Sequence, residues 1–505
     1  MQSNAADIVP AKAGIKCFVK PPAFSDKEYF FYDCASLTGM RPRSTAPWYA
    51  VFMRLNNIPK FLVLIFLLYA CAGAPETIKD IRELNQDHMY YIDKSVSNRE
   101  LVTVDYQKKM DADYDARYFS PWHREKPFYQ MDVVESGFKK YGSNLGYGEN
   151  KRKHEKSWIN DLAANARLEN YPNSRLMAIT IDNADLRVLP THKPHFNDPD
   201  SSYRGYPFDN LQESSIAANT PVFISHMSKD KAWVLAETPY AVGWLSARSV
   251  TVADKNFVKT WESGRYAVII KDKIPVYDVE GRFLFKAPLG SIFPKIGEDT
   301  KSIKLLVAVA DKDGKAFIKS AVVSKEAAAS KPLRLTTYNI ANLANELINE
   351  PYGWGGLYQN RDCSAMIRDL FTPFGLWLPR HSADQAKEGG TFIDLRKLSP
   401  ADKEAMIVKQ GVPYLTLIWR RGHIMLYIGS YQGRALVFHN FWGVKTKDFL
   451  GRESRKIVGH AAITTIHPGL ELHDVGNTES DLLSGVLGMT VLVSPEYQET
   501  INKER

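Results

Sequence analysis

PYGWGGLYQNRDCSAMIRDLFTPFGLWLPRHSADQ, residues 351–385, decides how the chain is read, together with RGHIMLYIG at 421–429. Cys363 follows Asp362 and opens a run with apolar side chains at Met366, Ile367, Leu370, Phe371 and Phe374. That spacing predicts a helix whose first turn carries the thiol. A helix N-terminus offers unpaired N–H groups and partial positive charge, so the thiol is expected to shift toward the nucleophilic thiolate. Downstream, His423 begins an apolar strand-like run, Ile424 to Ile428, which Gly429 ends; a second run, Ala435 to Phe438, closes on His439. A cysteine, a histidine base and a second histidine to orient it make a nucleophile–base–orienter set. A cysteine at a helix start is commonly a small buried hydrophobe, and a histidine opening a strand is commonly structural. The number of coincidences around one thiol favours a thiol peptidase.

YGWGG, then DCSA, LPRHSADQ and GHIMLYIG resemble the catalytic domain of the NlpC/P60 cell-wall cysteine peptidases, over residues 331–470. The resemblance implies a papain-like α+β fold with Cys363 as nucleophile, His423 as base and His439 as the third polar residue, with Asn440 as the alternative for that third place. It implies that Tyr352 polarises the scissile carbonyl while the Cys363 backbone N–H completes an oxyanion site. Trp354, Asp362, Ser364, His381 and Ser382 are then expected to line the substrate groove. Many relatives carry a carboxylate where His381 stands, so that contact departs from the family pattern.

Length and composition agree with a multidomain enzyme. At 505 residues the chain exceeds one core, and 44% apolar with 24% charged residues is ordinary for globular proteins. The net charge of +8 is scattered without a Lys/Arg block, so no nucleic-acid partner is expected. Cysteines at 17, 34, 71 and 363 make no CxxC pair, and neither a metal site, a cofactor nor a disulfide framework is expected. A monomer is expected.

FLVLIFLLYA, residues 61–70, is too short to span a bilayer as a helix, which needs about 20 residues. Arg54 and Lys60 precede it, and Leu68-Tyr69-Ala70-Cys71 ends it. This resembles a bacterial lipoprotein signal at 53–70, with Cys71 lipidated and holding the protein to a membrane. Residues 1–52 are then expected to be an upstream misreading of the frame, with translation starting at Met53; the alternative is a genuine cytoplasmic extension before a signal anchor. The location implied is the cell envelope on the periplasmic side; Ala72 in place of Asp favours the outer membrane in a Gram-negative cell.

Residues 71–176 are polar, with helical stretches at Glu76–Asp87 and Ser157–Glu169, and read as an N-terminal helical arm. Short strand patterns with turn residues every few positions then predict a small barrel over 177–254 and a second over 255–325. Gly243-Trp244 after Tyr240 resembles a bacterial SH3-like domain. In relatives with this order the first barrel narrows the groove and grips the free amine of an N-terminal L-Ala. Asp209, Glu213, Glu237 and Tyr240 are the candidates here, Tyr240 and Glu213 foremost. KEAAASKP, Lys325 to Pro332, is the expected linker. A helix over Tyr338–Asn349, a groove loop over 382–390 and strands YLTLIW, HIMLYIGS, ALVFHN and AAITTI complete the catalytic segment, and 471–505 is read as a tail.

The activity implied is hydrolysis of the bond between γ-D-glutamate and a diamino acid, diaminopimelate, in peptidoglycan stem peptides or muropeptides with a free L-Ala amine. A non-catalytic peptidoglycan-binding lipoprotein, or an amidase or acyltransferase on the same thiol scaffold, are the alternatives.

Overall fold

The computed structural model describes residues 77–447, 450–472 and 481–493. The signal-like run, the lipid attachment expected at Cys71 and the expected start at Met53 lie outside the described residues. No helix among the described residues is long and apolar enough to cross a membrane.

Among the described residues, the arm holds four α-helices: α1 (Lys79–Glu83), α2 (Val104–Tyr118), α3 (Met131–Ser143) and α4 (Lys156–Ala166). α2 and α3 went unseen in the sequence. For α2 the reason is chemical, because it buries Gln107, Tyr114 and Tyr118 rather than an aliphatic stripe. The arm is a clip across the other domains. Gln107 donates to the carbonyls of Leu333 (2.7 Å) and Phe374 (3.1 Å) and accepts from Leu335 N–H (3.2 Å). Asp80 accepts from the backbone and hydroxyl of Thr465 at 2.7 and 2.8 Å. Trp122 donates its indole N–H to the Ala178 carbonyl at 2.7 Å. His88 is fully buried against the ring of Phe438, and burial drives its pKa down to about 3.

The first β-domain contains β1 (Leu176–Thr180), β2 (Ala184–Arg187), β3 (Gln212–Ile216), β4 (Pro221–Met227), β5 (Trp233–Glu237), β6 (Val242–Ser246) and β7 (Val250–Val252), in sheet order β3-β2-β6-β5-β4-β1-β7. Its β4 and β5 bury nearly every side chain, so they read as apolar runs instead of alternating ones. After α5 (Lys255–Trp261) the second β-domain follows, with β8 (Tyr266–Ile269), the hairpin β9 (Ile274–Tyr277) and β10 (Phe283–Ala287), then β11 (Ile292–Glu298), β12 (Ser302–Ala310), β13 (Ala316–Ser324) and β14 (Ala328–Ser330). Here the expected linker is corrected. KEAAASKP contains β14, which pairs antiparallel with β8 through Ala329 and Val268, because small side chains fit beside that buried strand.

The last domain holds α6 (Thr337–Glu346), α7 (Cys363–Phe371), α8 (Ser382–Glu388), β15 (Thr391–Asp394), α9 (Pro400–Gln410), β16 (Thr416–Arg420), β17 (His423–Tyr431), β18 (Arg434–Lys447), β19 (Glu453–Thr465) and β20 (Val486–Val491). Its sheet runs β15-β20-β16-β17-β18-β19. α7 buries Met366, Ile367, Leu370 and Phe371 in the same core as Leu426, Ile428, Leu436 and Phe438 of β17 and β18. That packing sets the start of α7 at the strand ends where the histidines stand. Two expectations change. The groove loop over 382–390 is mostly α8, a short helix that begins at Ser382. The tail over 471–505 is not separate, since β20 sits between β15 and β16 and pairs Met489 with both Ile393 and Ile418.

Lys331 fastens the arm to this assembly. Its ammonium is buried, reaches Asp115 at 2.7 Å, contacts Asp111 as well, and lies 4.4 Å from the centre of the Tyr114 ring. Lys331→Met would strand two carboxylates in a partly buried site, so a loss of about 3–5 kcal/mol is expected. Urea unfolding at pH 7 checks it, and an unchanged midpoint would show that the Lys331 ion pairs do not fasten the arm.

Candidate functional site

Asp362 builds the nucleophile's position. It is the N-cap of α7 and accepts from Ala365 N–H at 2.8 Å, which fixes the first helical turn. Its other oxygen takes Gly355 N–H at 3.1 Å and so ties down the WGG loop. Burial works to raise the Asp362 carboxyl, but Arg380, 2.7 Å away, outweighs it and holds the group ionised below the usual carboxylate range. Arg380 also donates to Ser364 Oγ (3.1 Å) and, through Nε, to Ser214 Oγ of β3 (2.8 Å). One buried guanidinium thus joins the thiol's helix to the first β-domain. Asp362 was expected in the groove lining; with its oxygens bound to Arg380 and to backbone, it is a brace instead.

Gly355 and Gly356 explain how β3 comes so close. Both have positive φ, 59° and 85°. A Cβ at Gly355 would run into the Gln212 carbonyl, and one at Gly356 into the backbone of Ser215.

Cys363, the one cysteine among the described residues, is 6% exposed. Burial pushes its thiol up to about 12, and the Asp362 charge acts in the same direction. N–H groups of Ile424 and Ser364 and the charge of Arg380 pull it down by less. The thiolate expected at the helix start is therefore corrected: desolvation of a buried anion outweighs the helix end. The resting group is a thiol.

The bond from Ile424 N–H places the sulfur beside the start of β17, where His423 is the preceding residue. His423 Nε2 lies 2.8 Å from His439 Nδ1, and His439 Nε2 lies 3.0 Å from Thr464 Oγ1. The directions of these bonds follow from the end of the chain. Thr464 donates its hydroxyl proton to the Thr465 carbonyl at 2.7 Å, so it accepts from His439 Nε2–H. His439 Nδ1 then has a lone pair and accepts from His423 Nε2–H. His423 is left with a bare Nδ1, the nitrogen able to take a proton from sulfur. Burial lowers the pKa of His423 to about 3, with Arg420 pushing the same way, and lowers His439 well below the ordinary imidazole value. Both rings are neutral at pH 7. Asn440, the alternative third residue, is engaged elsewhere: its amide donates to the Arg361 and Glu350 carbonyls at 2.9 and 3.3 Å.

His423 opens onto a cleft of about 860 Å³ that Tyr352 and Trp354 also line. Burial keeps the Tyr352 phenol protonated, and the Asp362 charge adds to that, so it stays a hydrogen-bond donor. Trp354 packs edge-on against Phe208 from the first β-domain, ring centres 5.3 Å apart. Ser364 is buried beside Asp362, and Ser382 opens α8. His381 Nε2 pairs with Glu213 Oε1 at 3.0 Å, and that hydrogen bond raises its pKa.

The other amine-binding candidates are not brought to this place. Tyr240 lies under the Arg368 guanidinium (4.1 Å) in a separate cavity between the β-domains and α7. Tyr240 stands in the bend between β5 and β6, packed on the core of the first β-domain with the Arg368 guanidinium over its ring. Asp209 is paired with Arg187 at 2.8 Å and Glu237 with Arg124 at 2.6 Å. Both are buried braces. Arg380 and Thr464 were missed in the sequence, although Arg380 stands inside the LPRHSADQ stretch. Among the described residues, no group of His, Cys, Asp or Glu is arranged to hold a metal ion.

Four family models match the chain: an NLPC_P60 stabilising domain, N-terminal, over 60–171; an SH3 domain of SH3b1 type over 194–246; an SH3 domain of SH3b2 type over 254–300; and the NlpC/P60 family over 349–449. Among solved structures, the chain is similar to an NlpC/P60 endopeptidase from Photobacterium damselae subsp. piscicida. Identity is 28% and the TM-score 0.72, over 81% of this chain and 97% of that one. A more distant likeness is to an NlpC/P60 family protein from Bacillus cereus ATCC 10987, with 16% identity and a TM-score of 0.41, over 62% of this chain and 98% of that one. No curated protein matches.

Thr464→Val keeps shape and removes the acceptor that fixes the ring protons. Alkylation of Cys363 by iodoacetamide at pH 7.5 is expected to slow about tenfold, the cost of one buried unsatisfied donor. Mass spectrometry of the labelled peptide follows it, and an unchanged rate would mean that Thr464 does not orient the pair.

Proposed function

Starting from a chain that belongs to the NlpC/P60 family of peptidoglycan hydrolases, we propose that it is a cysteine endopeptidase cutting the bond between γ-D-glutamate and the diamino acid of peptidoglycan stem peptides. The observation that carries this reading is the directed chain Thr464–His439–His423, whose last ring belongs to the residue just before Ile424, the N–H that bonds the Cys363 sulfur. Cys363 Sγ attacks the γ-carbonyl carbon while its proton passes to His423 Nδ1. The oxygen gains charge next to the Tyr352 hydroxyl and the Cys363 N–H, which as the first residue of α7 has no acceptor within the helix. His423 then hands the proton to the departing amine, the C–N bond breaks, and a thioester remains. Water, deprotonated by the same nitrogen, hydrolyses that thioester and restores the thiol.

A free L-Ala amine fits the place where Glu213 and His381 meet. Glu213 gives one oxygen to His381 and has a second to offer an ammonium. Tyr240 has no part in this, being turned toward Arg368. We also propose lipid anchoring through Cys71 on the periplasmic side of the envelope, resting on the sequence around 53–71 alone.

Mass spectrometry of digests of L-Ala-γ-D-Glu-diaminopimelate tests the reading. The parent protein is expected to release the dipeptide L-Ala-D-Glu, and Cys363→Ala none at unchanged melting temperature. Acetylating the alanine nitrogen is expected to lower kcat/KM about tenfold or more, the loss of a charge-assisted hydrogen bond. Turnover retained by Cys363→Ala would overturn the mechanism.

A further inference from the structure

The cleft that opens from His423 is lined by cations of one sign. Arg204, Arg420, Arg421, Lys445 and Arg455 face it, and its lining includes no aspartate or glutamate among the described residues. The carboxylates nearby are spent on the rim: Glu453 pairs with Lys445 at 2.9 Å, and Asp481 acts on Arg420. These cations come from separate parts of the chain. Arg204 stands in the long connection between β2 and β3, Arg420 and Arg421 at the β16–β17 turn, Lys445 on β18 and Arg455 on β19. The segment before β20 adds a wall through Gly485, where a Cβ would meet Arg420 Nε at 3.0 Å.

Arg455 is half-buried against aromatic rings. Its guanidinium lies 4.4 Å from the centre of the Tyr203 ring and 5.3 Å from that of Phe208. Burial lowers its pKa, and its Nε is buried with no hydrogen-bond partner. A guanidinium clamped on aromatic faces presents a fixed fork of donors, the shape that matches a carboxylate. Besides its hydrogen bond to Tyr203, this partly desolvated cation keeps its Nε unsatisfied, a cost that an arriving anion relieves. A low-dielectric cleft lined by one sign of charge also concentrates oppositely charged ligands.

Chemistry decides which half of the substrate meets this charge. The imidazole that protonates the departing amine must face the leaving half. The leaving half of a stem peptide begins with the diamino acid, whose amine departs. We propose that this cleft reads the carboxylates of the leaving half, with Arg455 and Arg204 selecting a diamino acid that carries a second, side-chain carboxylate over one that does not. The proposal rests on the peptidase reading above and adds its specificity determinant.

Two tripeptides separate the possibilities: L-Ala-γ-D-Glu-meso-diaminopimelate, with a side-chain carboxylate, and L-Ala-γ-D-Glu-L-Lys, without one. The full chain is expected to favour the first about tenfold or more in kcat/KM, as one charge-assisted contact allows. That preference should shrink with rising salt, since the contact is partly exposed. It should approach one in Arg455→Gln and in Arg204→Gln. Arg204 is exposed, so its replacement does not endanger the fold and keeps the test sound should Arg455→Gln misfold. Equal cleavage of both tripeptides by the parent, or a preference that survives both substitutions, overturns the proposal. Cleavage of neither is a different outcome: it removes the peptidase reading and this inference with it.

Discussion

Taking one sulfur atom out of water sets the terms for the rest of the molecule. Cys363 is buried at the start of α7, and its thiolate is disfavoured there by desolvation and by the neighbouring Asp362. Asp362 cannot be dispensed with, because it caps the helix and holds the glycine loop. Its own buried charge then requires a partner, and Arg380 supplies it. The histidines are under the same constraint. Desolvation outweighs the pull of the Asp362 charge on His423, so both rings are neutral and their order rests on hydrogen-bond direction instead of charge. A hydroxyl, Thr464, fixes that direction from the far end. In the chemistry proposed, this neutral pair moves its proton as bond formation begins, without a preformed ion pair.

The non-catalytic domains act on this site by contact. Arg380 to Ser214, the glycine loop against β3 and Trp354 against Phe208 make the first β-domain a wall of the site. The arm fastens the layers from behind through Gln107, Lys331 and Asp80. The last described segment, through Gly485 and β20, completes both the sheet and one side of the basic cleft.

How much of this the sequence disclosed depends on how local each feature is. The helix at DCSA and the strand at GHIMLYIG were legible, because their periodicity and their polar ends lie within a few residues of one another. The strand pattern marked two β-rich regions for the same reason. What stayed hidden depends on contacts between distant segments. Arg380 finds Asp362 and Ser214 only once the domains are packed, and nothing in the sequence distinguishes Thr464 from its neighbour Thr465. β20 looked like a stray apolar stretch after a polar one, since a central strand reveals itself only by its partners. The ionisation of Cys363 was misjudged because a helix end is visible in sequence and depth of burial is not. Tyr240 was misplaced for a related reason, as the guanidinium over its ring belongs to α7.

The neutral, directed pair of histidines is the claim on which the chemistry turns. Nitrogen-15 NMR of histidine-labelled full-length protein reads it directly, because imidazole shifts report which nitrogen carries the proton. At pH 7 the account requires His423 and His439 both protonated at Nε2 and bare at Nδ1. Because burial depresses both pKa values, neither ring should gain a second proton as the pH falls from 7 to 4. An imidazolium at His423 near neutral pH, or a proton on its Nδ1, would contradict it.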